Sequence, residues 1–283
     1  MLHKLKTMVL LLIAAIATMA PVCVLSGGDT STTSSTIELG SRAIVEVIGE
    51  NSEVRVRRVT SDSLELQATF YNSEFVDFYT QSLTSEPSEH FIISATTSTG
   101  GQTSANSIIE LGIPDGVNLI VRTTNRPIII AGAVLTSGEL STTNGKISVR
   151  NSTGDYDLET TNSEVTVQDV DGNVNISTTN AHVWFDGLIT KGTNTISTTN
   201  GDIAVRLQAG SDVAVSGSTH NGEVTIESGD TGVTKYGDRA TLEHSFTDGV
   251  ATLNITNGPG AIHINPKIIS VFDEDHVQPQ TSR

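Results

Sequence analysis

Thr142-Thr-Asn-Gly-Lys-Ile-Ser-Val-Arg150-Asn-Ser-Thr-Gly-Asp-Tyr-Asp-Leu-Glu-Thr160-Thr-Asn162 is the stretch that decides the fold. It opens and closes on one tripeptide, and its apolar residues alternate with polar ones: Ile147 and Val149, then Tyr156 and Leu158. Alternation puts such side chains on one face of two short strands. Thr-Thr-Asn recurs at Thr123 to Asn125, Thr178 to Asn180 and Thr198 to Asn200, and degraded copies end at Asn221 and Asn257. Successive Asn positions (125, 144, 162, 180, 200, 221, 257) lie 19, 18, 18, 20, 21 and 36 residues apart. The last interval reads as two periods with one copy lost. A fixed period of this length marks a repeat architecture in which each unit buries its apolar face against its neighbours.

The register can be read from each Asn. Three and five residues later come Ile128 and Ile130, Ile147 and Val149, Val165 and Val167, Val183 and Phe185, Ile203 and Val205, Val224 and Ile226. These are the inward positions of a first strand. A second strand carries Tyr156 and Leu158, Val174 and Ile176, Ile196 alone, then Val213 and Val215. The expected fold is all-β: a flattened β-solenoid of about 18–20-residue coils with two short strands each and an amino-terminal β cap. Asn125, Asn144, Asn162, Asn180, Asn200, Asn221 and Asn257 are its structural corners. Asn-Gly at 144, 200, 221 and 257 reads as a turn dipeptide that tolerates positive φ, and stacked Asn and Thr side chains can hydrogen-bond along the ladder.

Working outward, residues 1 to 26 read as an export signal: Lys4 and Lys6 precede an uncharged apolar run from Met8 to Leu25. Cleavage, lipid attachment at Cys23 or retention as a membrane anchor through residues 8–25 are the three fates, and each puts the folded part outside the cytoplasm. Residues 27–36, rich in Ser, Thr and Gly, read as a flexible linker. Residues 37–121 alternate with period two and form the cap and first coils; residues 122–265 carry the repeats and 266–283 a tail. No segment has a 3.6-residue period, so almost no helix is expected after the signal. Phe70, Tyr71, Phe75, Phe78, Tyr79 and Phe91 put half of the twelve aromatic residues within 22 positions. They read either as a compact cap over the first coil or as an aromatic binding surface.

The chain of 283 residues has 32 acidic and 16 basic residues, a formal net charge of −16, and loss of the signal makes it more negative still. Nucleic acid and anionic lipid surfaces need basic patches, so both are poor partners. Cys23 is the only cysteine, which leaves the folded part without disulfides or a thiol nucleophile. No Gly-x-Ser-x-Gly elbow, His-Glu-x-x-His or P-loop occurs. Asp169-Val-Asp171-Gly172 begins like a calcium loop, but Asn180 stands where the bidentate Glu belongs. No cofactor is implied.

Two outward columns carry the local hypotheses. Two residues after each Asn stand Lys146, Glu164, His182, Asp202 and Glu223, which sets His182 between two carboxylates about 5 Å away. Glu164, His182 and Asp202 could hold a divalent metal; a solvated face with weak ion pairs is the plainer reading. Four residues after each Asn stand Ile129, Ser148, Thr166, Trp184, Ala204 and Thr225. Trp184, the only tryptophan, points outward between Thr166 and Ala204, either as an anchor for a sugar ring or protein partner or covered by a loop.

The run Ile108-Ile-Glu-Leu-Gly-Ile-Pro-Asp-Gly-Val-Asn-Leu-Ile-Val-Arg-Thr-Thr-Asn125, followed by Thr-Thr-Asn-Gly units, resembles the bacterial and archaeal family named "putative adhesin" (DUF4097, a domain of unknown function). The pattern covers roughly residues 37 to 265. The resemblance implies a β-solenoid on an exported protein, often behind a signal or membrane segment. The leading function is then a non-enzymatic surface protein, an adhesin-like binding or scaffold module whose partner is an envelope polymer or surface protein. The alternatives are a polysaccharide-acting enzyme on a β-helix scaffold and a membrane-anchored envelope sensor. Against the enzyme, Arg150 and Arg206 are separated by the units carrying Gln168 and Asp186, so they do not cluster as a catalytic groove requires.

Overall fold

The structure is a computed structural model that describes residues 25–27, 30–40, 42–85, 88–97, 105–227, 233–236, 241–246 and 250–264. These residues are all-β, with one 3-10 turn at Ser73–Phe75. The strands are β1 Leu25–Gly27, β2 Thr30–Glu38, β3 Ile44–Gly49, β4 Ser52–Arg58, β5 Ser63–Tyr71, β6 Val76–Ser85, β7 Ser88–Thr97 and β8 Asn106–Ile113. Next come β9 Val117–Arg122, β10 Ile128–Ala131, β11 Val134–Thr142, β12 Ile147–Thr160, β13 Val165–Asp171, β14 Val174–Thr178, β15 Val183–Leu188 and β16 Thr193–Thr198. The last are β17 Ile203–Leu207, β18 Val213–Thr219, β19 Val224–Glu227, β20 Val233–Tyr236, β21 Thr241–Phe246, β22 Ala251–Asn257 and β23 Ile262–Ile264.

Two ladders run through this curled sheet. The first takes the strands that follow each Asn, and its inward line is Val54, Ile128, Ile147, Val165, Val183, Ile203, Ile262 and Val224, paired in parallel. The second takes the strands that lead into each Thr-Thr-Asn, with Leu158, Ile176, Ile196 and Ile255 in one line. The inward residues of both ladders form a single apolar cluster, from Val45 to Ile264. β12 is long enough to serve both, with Ile147–Arg150 in the first ladder and Thr153–Thr160 in the second.

Strand order departs from sequence order at both ends, and in the same way. At the amino-terminal end β3 lies between β7 and β9, and β4 between β8 and β10. At the carboxy-terminal end β22 lies between β16 and β18, and β23 between β17 and β19. In each case a sequence-distant strand pair is laid in one place short of the end. The end pair is then bordered by antiparallel strands: β6 on β7 and β5 on β8 at one end, β21 on β18 and β20 on β19 at the other. The antiparallel returns cap the parallel ladders and, except for β5, which pairs onward with β2, become the new edge strands there among the described residues. Among its described residues, the 36-residue interval between Asn221 and Asn257 carries two antiparallel strands where the period predicts a further repeat. It holds β20 and β21, after which the chain goes back inside.

Residues 30–38 also differ from the expected tether. They form β2, paired residue for residue with β5 from Thr30 opposite Tyr71 to Glu38 opposite Ser63. Alternating Ser and Thr suit a half-exposed strand, and Thr33 is buried. The strands on either side of residue 121 belong to the same two ladders, because residues 44–58 are threaded among those that follow. Among the described residues no helix is long and apolar enough to cross a membrane. Of the apolar run at 8–25 all but Leu25 lies outside the described residues, as does the tail at 266–283.

The tripeptide divides its labour. The first Thr is buried in each copy, and its hydroxyl donates to a corner carbonyl: Thr123 to Ser52 at 2.9 Å, Thr160 to Gly145 at 3.2 Å, Thr178 to Ser163 at 3.1 Å, Thr198 to Ala181 at 2.9 Å. The Asn side chains link to one another: Nδ2 of Asn144 donates to Oδ1 of Asn125, Asn162 to Asn144 and Asn180 to Asn162, each at 2.7 Å, and Asn200 to Asn180 at 3.0 Å. Asn125 extends this chain to Asn51, a corner with φ 54° that no Thr-Thr announces. Asn257 turns inward, donating to the carbonyls of Gly201 and Ala261 at 2.9 and 3.1 Å.

The Asn-Gly corners do not use positive φ, which among the described residues occurs elsewhere. Glycine is needed there for closeness instead. A Cβ on Gly145 would collide with the Arg126 carbonyl oxygen, and one on Gly201 with that of Ala181.

Candidate functional site

The outward face of the first ladder carries a continuous cross-strand row. In register it reads Ser34, Gln67, Glu110, Arg55, Ile129, Ser148, Thr166, Trp184, Ala204, His263 and Thr225. At ~4.8 Å per strand this row is about 48 Å long. From the sequence only its middle is evident. Arg55 and His263 enter through the strand pairs laid in out of order, and His263 separates Ala204 from Thr225. The signal available for Arg55 was the alternation Glu53-Val-Arg55-Val-Arg57 itself.

Trp184 is partly exposed, while its strand neighbours Val183 and Phe185 are fully buried. Thr166 and Ala204 flank it in register, Thr166 partly exposed and Ala204 only 2% exposed. The indole thus stands in a row of smaller side chains, held from below by a β-strand whose backbone is paired on both sides. That arrangement fixes the backbone beneath a large amphipathic side chain that has only two side-chain torsions to order on binding.

Glu164, His182 and Asp202 neighbour one another along the corner column but turn to different partners. Glu164 Oε1 accepts from Lys146 Nζ at 3.1 Å and from the Thr166 hydroxyl at 2.6 Å. His182 Nδ1 accepts the Asp202 backbone N–H at 2.8 Å and lies 3.5 Å from the Asp202 carboxylate. Asp202 Oδ1 in turn accepts the Ala261 N–H at 2.8 Å, tying down the carboxy-terminal strand pair. Among the described residues no group of three His, Cys, Asp or Glu side chains is arranged to hold a metal ion.

A second outward row runs beside the first: Thr36, Glu65, Gly112, Arg57, Ala131, Arg150, Gln168, Asp186 and Arg206. Asp186 is buried although it points outward, because Arg206 Nη2 meets it at 2.6 Å and Gln208 Nε2 at 3.1 Å. Gln208 also donates to Asp169 at 2.9 Å. This cluster satisfies itself and fastens the chain segment after β17 to the sheet. Where the two rows carry Gly112, Ala131 and Ile129, a groove of about 770 Å³ opens, walled by Arg55, Arg57, Glu65 and Glu110. Arg55 pairs with Glu53 at 2.6 Å and Glu110 at 3.2 Å, and Arg57 pairs with Glu65, so the groove walls are fixed and carry balanced charge.

No protein-family model matches the chain, and no curated protein matches it. Solved structures do. A "putative cell adhesion protein" from Clostridium sporogenes is 11% identical, with a TM-score of 0.43 over 83% of this chain and 98% of its own. A "putative adhesin" from Bacteroides fragilis is 9% identical, with a TM-score of 0.34 over 82% and 96%. One from Parabacteroides merdae is 11% identical, with a TM-score of 0.36 over 84% and 96%. All three carry adhesion names, and none is named as an enzyme.

The aromatic cluster near residue 80 splits. Phe70 and Phe91 lie in the core, and Phe78 packs against Phe70 in a tilted pair with ring centroids 4.8 Å apart. Tyr71 and Tyr79 are exposed.

Proposed function

We propose that the chain is a non-enzymatic, adhesin-like binding module of the cell envelope, wound as a flattened β-solenoid and exported through its first 26 residues. The coils of 122–265 and the cap of 37–121 form one rod, because residues 44–58 are laid among them. The observation that supports this reading is the cross-strand row, which spans about 48 Å of paired strands and holds the sole tryptophan. Parallel ladders tied at the corners by buried Thr hydroxyls and a chain of Asn amides deform little, so the row is preorganised for a long or repetitive partner. Trp184, flanked by Thr166 and Ala204, is the anchor, and an envelope polymer or surface protein is the partner. The formal charge of −16 disfavours nucleic acid. The turned-away partners of Glu164, His182 and Asp202 leave a metal out of this proposal.

Sedimentation of the purified chain with envelope fragments of its source cell tests the reading. Binding is expected, and Trp184→Ala should weaken it about 30-fold, the loss of a ~2 kcal/mol anchor. Equal sedimentation of both proteins would remove Trp184 from the site.

A further inference from the structure

We propose that β6 is the docking edge for a second copy of this chain, joined antiparallel about a two-fold axis at Gln81. Among the described residues β6 pairs with β7 alone, so its other side offers a row of N–H and C=O groups with no strand beside them. Strands left at an edge are ordinarily protected by Lys, Pro, a bulge or brevity. β6 has none of these: its ten residues, Val76-Asp-Phe-Tyr-Thr-Gln-Ser-Leu-Thr-Ser85, contain no Pro or Lys and a single charge, and its pairing with β7 runs without a register shift.

The edge also carries apolar surface. Four large hydrophobic side chains are exposed among the described residues, and two of them, Tyr79 at 52% and Leu83 at 39%, lie on the same face of β6 with exposed Gln81 midway between. That spacing is self-complementary. With Gln81 on the axis, Gln81 faces Gln81, and Tyr79 of each copy faces Leu83 of the other on one side of the new sheet, an aromatic–aliphatic pair that stabilises cross-strand contacts. Asp77 falls opposite position 85, which carries no charge. The two Asp77 carboxylates then stand roughly 26 Å apart along the strands, beyond the screening length at physiological salt. A two-fold contact buries the same patch on both copies and closes on itself, so it produces dimers and no fibres. An unrelated extended segment would need a matching apolar–polar–apolar pattern; a second β6 supplies it.

Sedimentation equilibrium of the full chain over a range of concentrations is the test. A monomer–dimer equilibrium with half-association near about 100 µM is expected, as befits an interface below ~1,200 Å². Gln81→Lys and Gln81→Glu each place like charges across the axis and should abolish the dimer, while an equimolar mixture of the two should restore it. Since Gln81 faces solvent in the monomer, both variants should keep the wild-type circular dichroism. In a Cys23→Ser background, Gln81→Cys should form a disulfide-linked dimer on oxidation, and Tyr79→Cys, which faces Leu83, should not. A wild-type chain that stays monomeric throughout, a dimer indifferent to Gln81→Lys, or a mixture that fails to reassociate would each overturn the proposal. Occupation of this edge by a different protein's strand belongs to the first of those outcomes.

Discussion

Asn194→Ala should destabilise the protein by about 3 kcal/mol through backbone groups alone. Asn194 is fully buried at an inward position of β16, level with Leu253 of the inserted strand β22. Its Oδ1 accepts the Val174 N–H at 2.8 Å, and its Nδ2 donates to the carbonyls of Lys191 at 3.2 Å and Thr252 at 3.1 Å. One side chain thus joins three separate segments, including the strand pair laid in out of sequence order. Alanine removes all three bonds and leaves the buried Val174 N–H without an acceptor, at about 1 kcal/mol for each bond lost. For a domain of this size that corresponds to a fall in Tm of about 6–12 °C. Circular dichroism on heating measures the shift, and hydrogen exchange should show faster exchange at the Val174 amide. Asn194→Leu fills the space but not the hydrogen bonds, so it should be destabilised too. A fall below about 2 °C in the alanine variant, or a leucine variant more stable than wild type, would refute the reasoning and make the position an ordinary apolar slot.

Three further outcomes follow from named contacts. Tyr156 is buried with no partner for its hydroxyl, and the nearby Ser152 hydroxyl is spent on the Arg150 carbonyl at 2.7 Å; burial pushes the phenol up to about 12, against a smaller opposing pull from Ser152. Tyr156→Phe should therefore be neutral or stabilising by about 1 kcal/mol in urea unfolding. Because the folded-state value lies above the ordinary 10, the stability present below pH 10 should drain away as pH rises toward 12, and the phenylalanine variant should lack that component. Gly145→Ala drives a Cβ into the Arg126 carbonyl and should cost about 1–3 kcal/mol, read as a lowered urea midpoint, whereas the same change at Gly116, φ 80°, meets no atom and costs backbone strain alone. Desolvation, then Glu139 and Glu159, raise the Asp157 carboxyl from its ordinary value. Ionising it costs stability as pH rises through that value, so Asp157→Asn should raise Tm slightly at pH 7 and lose its advantage near pH 3.

The all-β class and the inward residues were legible because alternation and burial are both local properties of a strand. Ile147, Val149, Val165, Val167, Val183 and Phe185 all have the pattern, and all are buried. The order of the strands was not legible, because nothing local distinguishes a pair that stacks on its sequence neighbour from one that is threaded two places back. Val54 and Ile262 occupy equivalent positions in the ladder, yet one lies 74 residues before its partner Ile128 and the other 59 after Ile203. Asn194 was passed over for a related reason: a polar residue at an inward position breaks the apolar pattern, and only the tertiary backbone around it shows what it satisfies. The Ser/Thr run of β2 was misread because composition reports solvation, while the partner that orders it, β5, lies 25 residues or more away. Along the outward face, Trp184 and its two flanking residues came from simple counting, but Arg55, Gln67 and His263 needed the register.

Trp184 reports on the proposed face without any label, since it is the only tryptophan in the chain. Titration of the intact protein with solubilised envelope polymer, followed by its fluorescence, tests the binding face most directly. A saturable blue shift as the indole loses water, matched in midpoint to the sedimentation curve, is the expected result. Saturable sedimentation with an unchanged Trp184 spectrum would place the contact elsewhere on the molecule and contradict the account.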